Sequence, residues 1–140
     1  MKKILPLLCL ICTGFVWSQE ANNLNEALLV AQKEHKKVLL YFSGSDWCAP
    51  CIKFKKTIIN DPLFQEFAKT NLVVVNADFP RLRKNKLSAE QEKANEMAAE
   101  AFNQEGVFPR IVVLDEHKTI LKKWDGLPTE TIDQFIKALQ

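Results

Sequence analysis

Two cysteines three positions apart, in the stretch Asp46-Trp47-Cys48-Ala49-Pro50-Cys51, carry the chemistry that this chain offers. A pair at that spacing serves as a redox couple, as half of a zinc site or as a structural staple. A disulfide needs Cα atoms about 4.4–6.8 Å apart, and one helical turn sets residues i and i+3 at that separation. Cys48 and Cys51 can therefore bridge without backbone movement. The loop so closed is short, and loop-closure stabilisation grows with loop length. The bridge is thus a poor staple and a good switch. At a helix N-terminus, free N–H groups and the positive end of the dipole stabilise a thiolate, the form of cysteine that attacks. Cys48 is the expected attacking thiol, and Cys51, one turn in on the buried face, the resolving one. Pro50 suits the first turn, where its missing N–H would have no partner.

The flanking elements must hold that pair in place. Val38-Leu39-Leu40-Tyr41-Phe42 is a continuous apolar run, the mark of a strand buried on both faces, and Ser43-Gly44-Ser45 ends it. After the motif, Cys51, Phe54 and Ile58 share one face of an amphipathic helix, while Lys53, Lys56 and Asn60 point elsewhere. Asp61-Pro62 breaks this helix and opens a short one over 63–69. Residues 72–77 read as a second buried strand, and 79–86 as a polar, basic loop. A helix follows over 88–104, with Ser88 as cap and Gln91 completing a capping box. Upstream, Leu24, Ala27, Leu28 and Ala31 recur at helical spacing behind Asn23 or Asn25. Residues 110–115 and 119–124 form a hairpin turning at Glu116-His117, and Thr129 caps a last helix over 132–139. The whole predicts an α/β fold, a central mixed sheet flanked by helices.

The N-terminus, MKKILPLLCLICTGFVWSQE, has the layout of a secretory signal peptide: Lys2 and Lys3, an apolar run, then small residues before a cut. The apolar run falls short of the ~20 residues that span a bilayer. Cleavage at Ser18 or Gln19 is expected, leaving one domain over 19–140. It removes Cys9 and Cys12, a second CxxC, so that Cys48 and Cys51 remain of four cysteines. It also removes two lysines from a chain of formal charge +2, leaving nothing basic enough overall for a nucleic-acid partner.

A strand, then Trp47-Cys48-Ala49-Pro50-Cys51, then a helix, with Phe108-Pro109 entering a later strand, resembles the thioredoxin superfamily over about residues 24–139. Cys51-Ile52-Lys53-Phe54, Asp61-Pro62 and the Val73–Asp78 strand are most similar to exported thioredoxin-like proteins. The C-terminal thiol domain of transmembrane thiol-disulfide interchange reductases is the nearest case. The resemblance implies a thioredoxin fold and a protein-disulfide oxidoreductase with no bound cofactor or metal. It implies dithiol or disulfide protein substrates, a membrane redox partner, a monomer, and a lean towards the reducing direction. It makes Pro109 the counterpart of the family's cis-proline, with Phe108 and Pro109 as substrate contacts and Trp47 as a flanking surface. The family's buried aspartate falls at Tyr41 or Phe42, and its neighbouring-strand lysine within Val73–Val75. Ala49 stands in place of the commonest motif's glycine.

An exported chain with a lone CxxC and no staple disulfides points to a bacterial envelope, most simply the periplasm. Two other readings stand beside the enzyme: a thioredoxin-fold binding module that does not use its dithiol, and a metal-binding envelope protein. The second needs His35 and His117 as ligands, yet both lie in charged stretches that read as solvated surface. Arg81, Arg83, Lys84 and Lys86 read as a solvated loop, with attraction of an acidic partner as the alternative. Asp46 is expected to be an exposed carboxylate that raises the neighbouring thiol's pKa slightly. Trp124 reads as packing on the hairpin.

Overall fold

The computed structural model describes residues 21–140, so the expected signal segment, with Cys9 and Cys12, lies outside the described residues. Four strands pair in the order β2-β1-β3-β4. Strand β1 (Lys37–Ser43) runs parallel to β2 (Leu72–Asp78) and antiparallel to β3 (Arg110–Leu114), and β4 (Ile120–Asp125) closes the hairpin at the far edge. The unbroken apolar run of β1 is explained by its place: it has a strand on each side and helices over both faces.

Alternation along the strands sorts the core into two layers. Val38, Leu40 and Phe42 face helices α1 (Leu24–Glu34) and α4 (Ala89–Phe102) together with Val73, Val75, Val112 and Leu114. Leu39 and Tyr41 face the other layer, built from α2 (Ala49–Phe54), α3 (Pro62–Asn71) and α5 (Ile132–Leu139). Between α2 and α3 the helix widens into a π turn over Lys55–Ile59, within which Ile58 and Ile59 are both buried. Lys37 on β1 donates to the carbonyl oxygens of Leu139 and Gln140 at 2.9 and 2.8 Å, closing the end of α5.

Two helix starts differ from the sequence expectation. Ser88 caps α4 through Gln91 N at 3.2 Å, but the Gln91 side chain donates to Asn22 O and Asn95 Oδ1 and does not close a capping box. Thr131, not Thr129, caps α5, with a reciprocal pair of bonds to Gln134. The spacing Thr131-x-x-Gln134 is itself the signature. The loop 79–86 also carries a single 3₁₀ turn at Arg83–Asn85.

Phe135 is the hub of the second layer. It is 0 % exposed and its ring centroid lies 4.9 Å from Trp124, 6.0 Å from Phe54 and 6.3 Å from Phe64. Phe135→Ala is expected to cost about 3–5 kcal/mol in urea unfolding, as large-to-small changes in a packed core do. Leu29→Ala, at a site 69 % exposed on α1, should stay within about 0.5 kcal/mol of the parent.

Candidate active site

At the end of β1 the chain turns over Gly44–Trp47, and the amides of Trp47 and Cys48 both donate to Gly44 O, at 3.2 and 2.9 Å. The turn is pinned from β2: Asp78 accepts from the Ser45 amide at 2.8 Å, from the Ser45 hydroxyl at 2.5 Å and from the Ser43 hydroxyl at 3.0 Å. Cys48 leaves the turn in extended conformation and caps α2. Its carbonyl accepts from Ile52 N at 3.0 Å, and its Sγ accepts from Cys51 N at 3.3 Å. Sulfur thus takes the place that a Ser or Asp side chain oxygen occupies at an ordinary N-cap.

Cys48 and Cys51 are joined by a disulfide, with Cα atoms 5.2 Å apart, and are 4 % and 2 % exposed. On reduction the Cys51 amide faces a sulfur that can ionise. A hydrogen bond to the charged form favours that form. Pro50 lies in the first turn, where no N–H is needed.

An aromatic cluster flanks the pair. Trp47 Nε1 donates to Phe79 O at 2.7 Å, and its ring meets Phe108 edge-on at 5.3 Å, while Phe79 meets Phe108 at 5.7 Å. The Phe108–Pro109 peptide is cis, and the Trp47–Phe108 contact brings this loop to the flank of the motif. Asn103 shapes the approach to it, donating to Val107 O and accepting from Val107 N, both at 2.9 Å. Gly126 N donates to Pro109 O at 2.8 Å. Arg110, 4 % exposed, ties the loop to β4 through Glu105 and Asp125 at 2.5 and 2.7 Å. Its guanidinium hydrogen bond holds the Asp125 carboxyl below the usual range.

Three residues act differently from, or beyond, the sequence expectation. Gly44 is required by close approach: a Cβ there would overlap the Trp47 indole. Asp46 does not act as a free charge beside the thiol. Its carboxylate accepts from Arg81 N at 2.9 Å, Leu82 N at 3.0 Å and Asn85 Nδ2 at 2.9 Å, so it anchors the 79–86 loop. Arg81 in turn holds its guanidinium 3.8 Å from the Trp47 ring centroid, a cation–π contact that makes it part of the site's flank. No signal in neighbouring residues gives this pairing, because Asp46 and the loop lie more than thirty positions apart.

With the geometry in place, the comparisons with known proteins fall into line. The thioredoxin-like family model matches residues 17–116. The chain belongs to the thioredoxin-like family. Over 90 residues, 64 % of this chain, it is 38 % identical to the disulfide bond reductase DsbH of Chlamydia pneumoniae, and it spans about half of that relative's length, 52 %. A solved DsbH oxidoreductase superposes with a TM-score of 0.74 at 28 % identity, covering 99 % of this chain and 94 % of that one. The reduced C-terminal domain of Neisseria meningitidis DsbD superposes with a TM-score of 0.53 at 21 % identity, over 82 % of this chain and 90 % of that one. That last likeness is one of fold.

On β1, Tyr41 packs in the layer of Phe54 and Ile58, and Phe42 in the opposite one. Across β1–β2, Tyr41 pairs with Asn76, and Val74, in the same layer as Tyr41, pairs with Leu39. A cleft of about 240 Å³ reaches Cys51 from this side, lined by Tyr41, Ser43, Asn76, Lys55 and Lys56 among others. His35 ends α1 in a left-handed conformation and His117 sits in the β3–β4 turn. Among the described residues no three potential metal ligands converge.

Asp46's hydrogen bonds, first of all the one from the Arg81 amide, hold its carboxyl below the ordinary value of 3.8. A depressed folded pKa contributes stability that is present above the unfolded value and lost as pH falls through the folded one. The amide resonances of Arg81 and Leu82 are therefore expected to titrate together with a midpoint below 3.8, and their hydrogen exchange to quicken as the loop is released. In Asp46→Asn the acid titration should vanish and exchange should be fast already at neutral pH.

Proposed function

We propose that this protein is an exported thiol-disulfide oxidoreductase that reduces disulfides in protein clients through Cys48 and then Cys51. Trp47, Phe108 and Pro109 would flank the bound client. The observation that carries the reading is the Cys51 amide on Cys48 Sγ within a bridged pair at a helix start. This arrangement stabilises the sulfur as an attacking and as a leaving thiolate.

In the dithiol form the Cys48 thiolate attacks one sulfur of the client disulfide. The Cys48–client bond forms as the client S–S bond breaks, and the departing client thiolate takes a proton. Cys51 then gives up its proton and attacks Cys48 Sγ, so that the intramolecular bridge forms and the second client thiolate leaves. Two electrons pass from protein to client, and the product is the bridged state described above. Sulfur carries the electrons throughout, so the reaction calls for no cofactor. Returning the bridge to dithiol calls for an external dithiol donor, in this proposal a membrane protein.

The direction is supported by the 38 % identity to a relative named as a disulfide bond reductase. The location, an envelope compartment such as the periplasm, is supported by the signal-like N-terminus. Among the described residues no helix is long and apolar enough to cross a membrane.

Equilibration of the Cys48/Cys51 pair against glutathione or thioredoxin tests the direction. A reductase should give a potential near about −270 mV, whereas a value near about −120 mV would make the protein a disulfide donor. A pair that does not form its bridge reversibly would remove the redox reading altogether. Cys51→Ser should accumulate a mixed disulfide with clients, and Cys48→Ser should form none, as read by non-reducing electrophoresis.

A further inference from the structure

The face that carries the dithiol has a charge that the whole chain lacks. Overall the protein is close to neutral, at +2. Beside Trp47, the loop 81–86 carries Arg81, Arg83, Lys84 and Lys86, all exposed and with no acidic residue among them. Beside Cys51, Lys55 and Lys56 line the cleft. Among the described residues none of these six has a carboxylate within ion-pair distance, although such pairs form elsewhere in the molecule. The carboxylates within this face are turned onto other donors: Asp46 onto two loop amides and Asn85, and Asp78 onto Ser43 and Ser45. The exposed acids Glu96 and Glu100 line a separate groove together with Phe79.

The basic loop is also held in place. Three hydrogen bonds donated by the loop to Asp46 and the Arg81–Trp47 contact fix it against the residues that precede Cys48. The stems of its cations are therefore anchored beside the turn that leads to Cys48. An unpaired, fixed set of like charges costs folding energy through self-repulsion, and it returns that energy when an opposite charge docks.

We propose that this basic rim is the docking surface for an acidic protein segment that flanks the exchanging disulfide, seated along the 81–86 loop. The inference rests on the proposed thiol-disulfide exchange and names its partner class. Local charge, not the near-zero net charge, sets the selectivity. Clefts and rims of one sign raise association rates about 10- to 1,000-fold at low salt, and the gain fades as salt rises.

The test uses three disulfides against the reduced full-length protein. Two are peptides with the same disulfide loop, flanked by several aspartates in one and several lysines in the other, and the third is bis(2-hydroxyethyl) disulfide, which is linear and uncharged. Second-order exchange rates are measured at about 0.01 M and about 1 M salt, where the Debye length is about 30 Å and about 3 Å. The acidic peptide should react at least about tenfold faster than the basic one at low salt, and the two rates should converge at high salt. The combined variant Arg83→Glu, Lys84→Glu, Lys86→Glu should invert the preference. The milder Arg83→Gln, Lys84→Gln, Lys86→Gln should abolish it, and the wild-type salt series needs no variant at all. Equal rates for the two peptides at low salt, with normal reduction of bis(2-hydroxyethyl) disulfide, would overturn the docking surface alone. No reaction with any of the three would instead overturn the redox function on which it rests.

Discussion

Strand β1 is hydrogen-bonded along both edges and covered on both faces, and that confinement fixes where the dithiol emerges. Val38 to Phe42 are between 0 % and 3 % exposed. A slip of one residue would exchange Leu39 and Tyr41 with Leu40 and Phe42 between the two layers. Every one of those side chains is already packed against a helix on its own side, so no neighbouring register is available. The turn at Gly44 therefore starts from a point that the core defines. The motif inherits its position from burial, the largest favourable term in folding, and not from its own short-range bonds.

What those short-range bonds decide is orientation. Two amides converge on Gly44 O, Asp78 clamps Ser43 and Ser45, and the sulfur of Cys48 accepts an amide from the helix it starts. Each places a polar group of the turn against a partner, which a turn next to a dry core requires. Among the described residues no buried side-chain nitrogen or oxygen is left without a partner. The cis Phe108–Pro109 loop is held in the same manner by Asn103, Gly126 and Arg110. Arg110 is buried, while its two carboxylates reach it from half-exposed positions. The desolvated charge is thus paired and the loop joined to the edge hairpin.

The site that results is asymmetric. On one side stand Trp47, Phe79 and Phe108, an edge-on aromatic cluster with Arg81 over the indole. On the other, a polar cleft lined by Tyr41, Asn76 and two lysines reaches Cys51. Tyr41 and Phe42, the two positions at which the resemblance puts the family's buried carboxylate, carry none, and the cleft at Cys51 is lined by a tyrosine and an amide. In the proposed exchange, charge at the rim and the aromatic surface beside it would distinguish partners that all carry the same sulfur–sulfur bond.

Much of this was legible in the sequence because it depends on local or periodic signals. The apolar run of β1, the helix phase of Cys51, Phe54 and Ile58, and the switch-like spacing of Cys48 and Cys51 are written in adjacent residues. The resemblance makes Pro109 a cis-proline beside the motif, and the fold has the cis bond and sets Phe108 against Trp47. The sequence also contained the true cap of α5, in Thr131 and Gln134, although Thr129 looked equally suitable without knowing where the helix begins. Other features required the chain to be folded. Asp46 and the 81–86 loop lie more than thirty positions apart. Only the parallel pairing of β1 with β2 brings their ends together, and it turns a suspected thiol-tuning charge into an anchor. Which of Tyr41 and Phe42 faces the layer of Phe54 and Ile58 is decided by strand register, which a single sequence with uniformly apolar neighbours leaves open. The need for glycine at position 44 arises from where an indole comes to rest. Periodicity and spacing determine which residues face inward and which sulfurs can meet; long-range pairing determines what stands beside them.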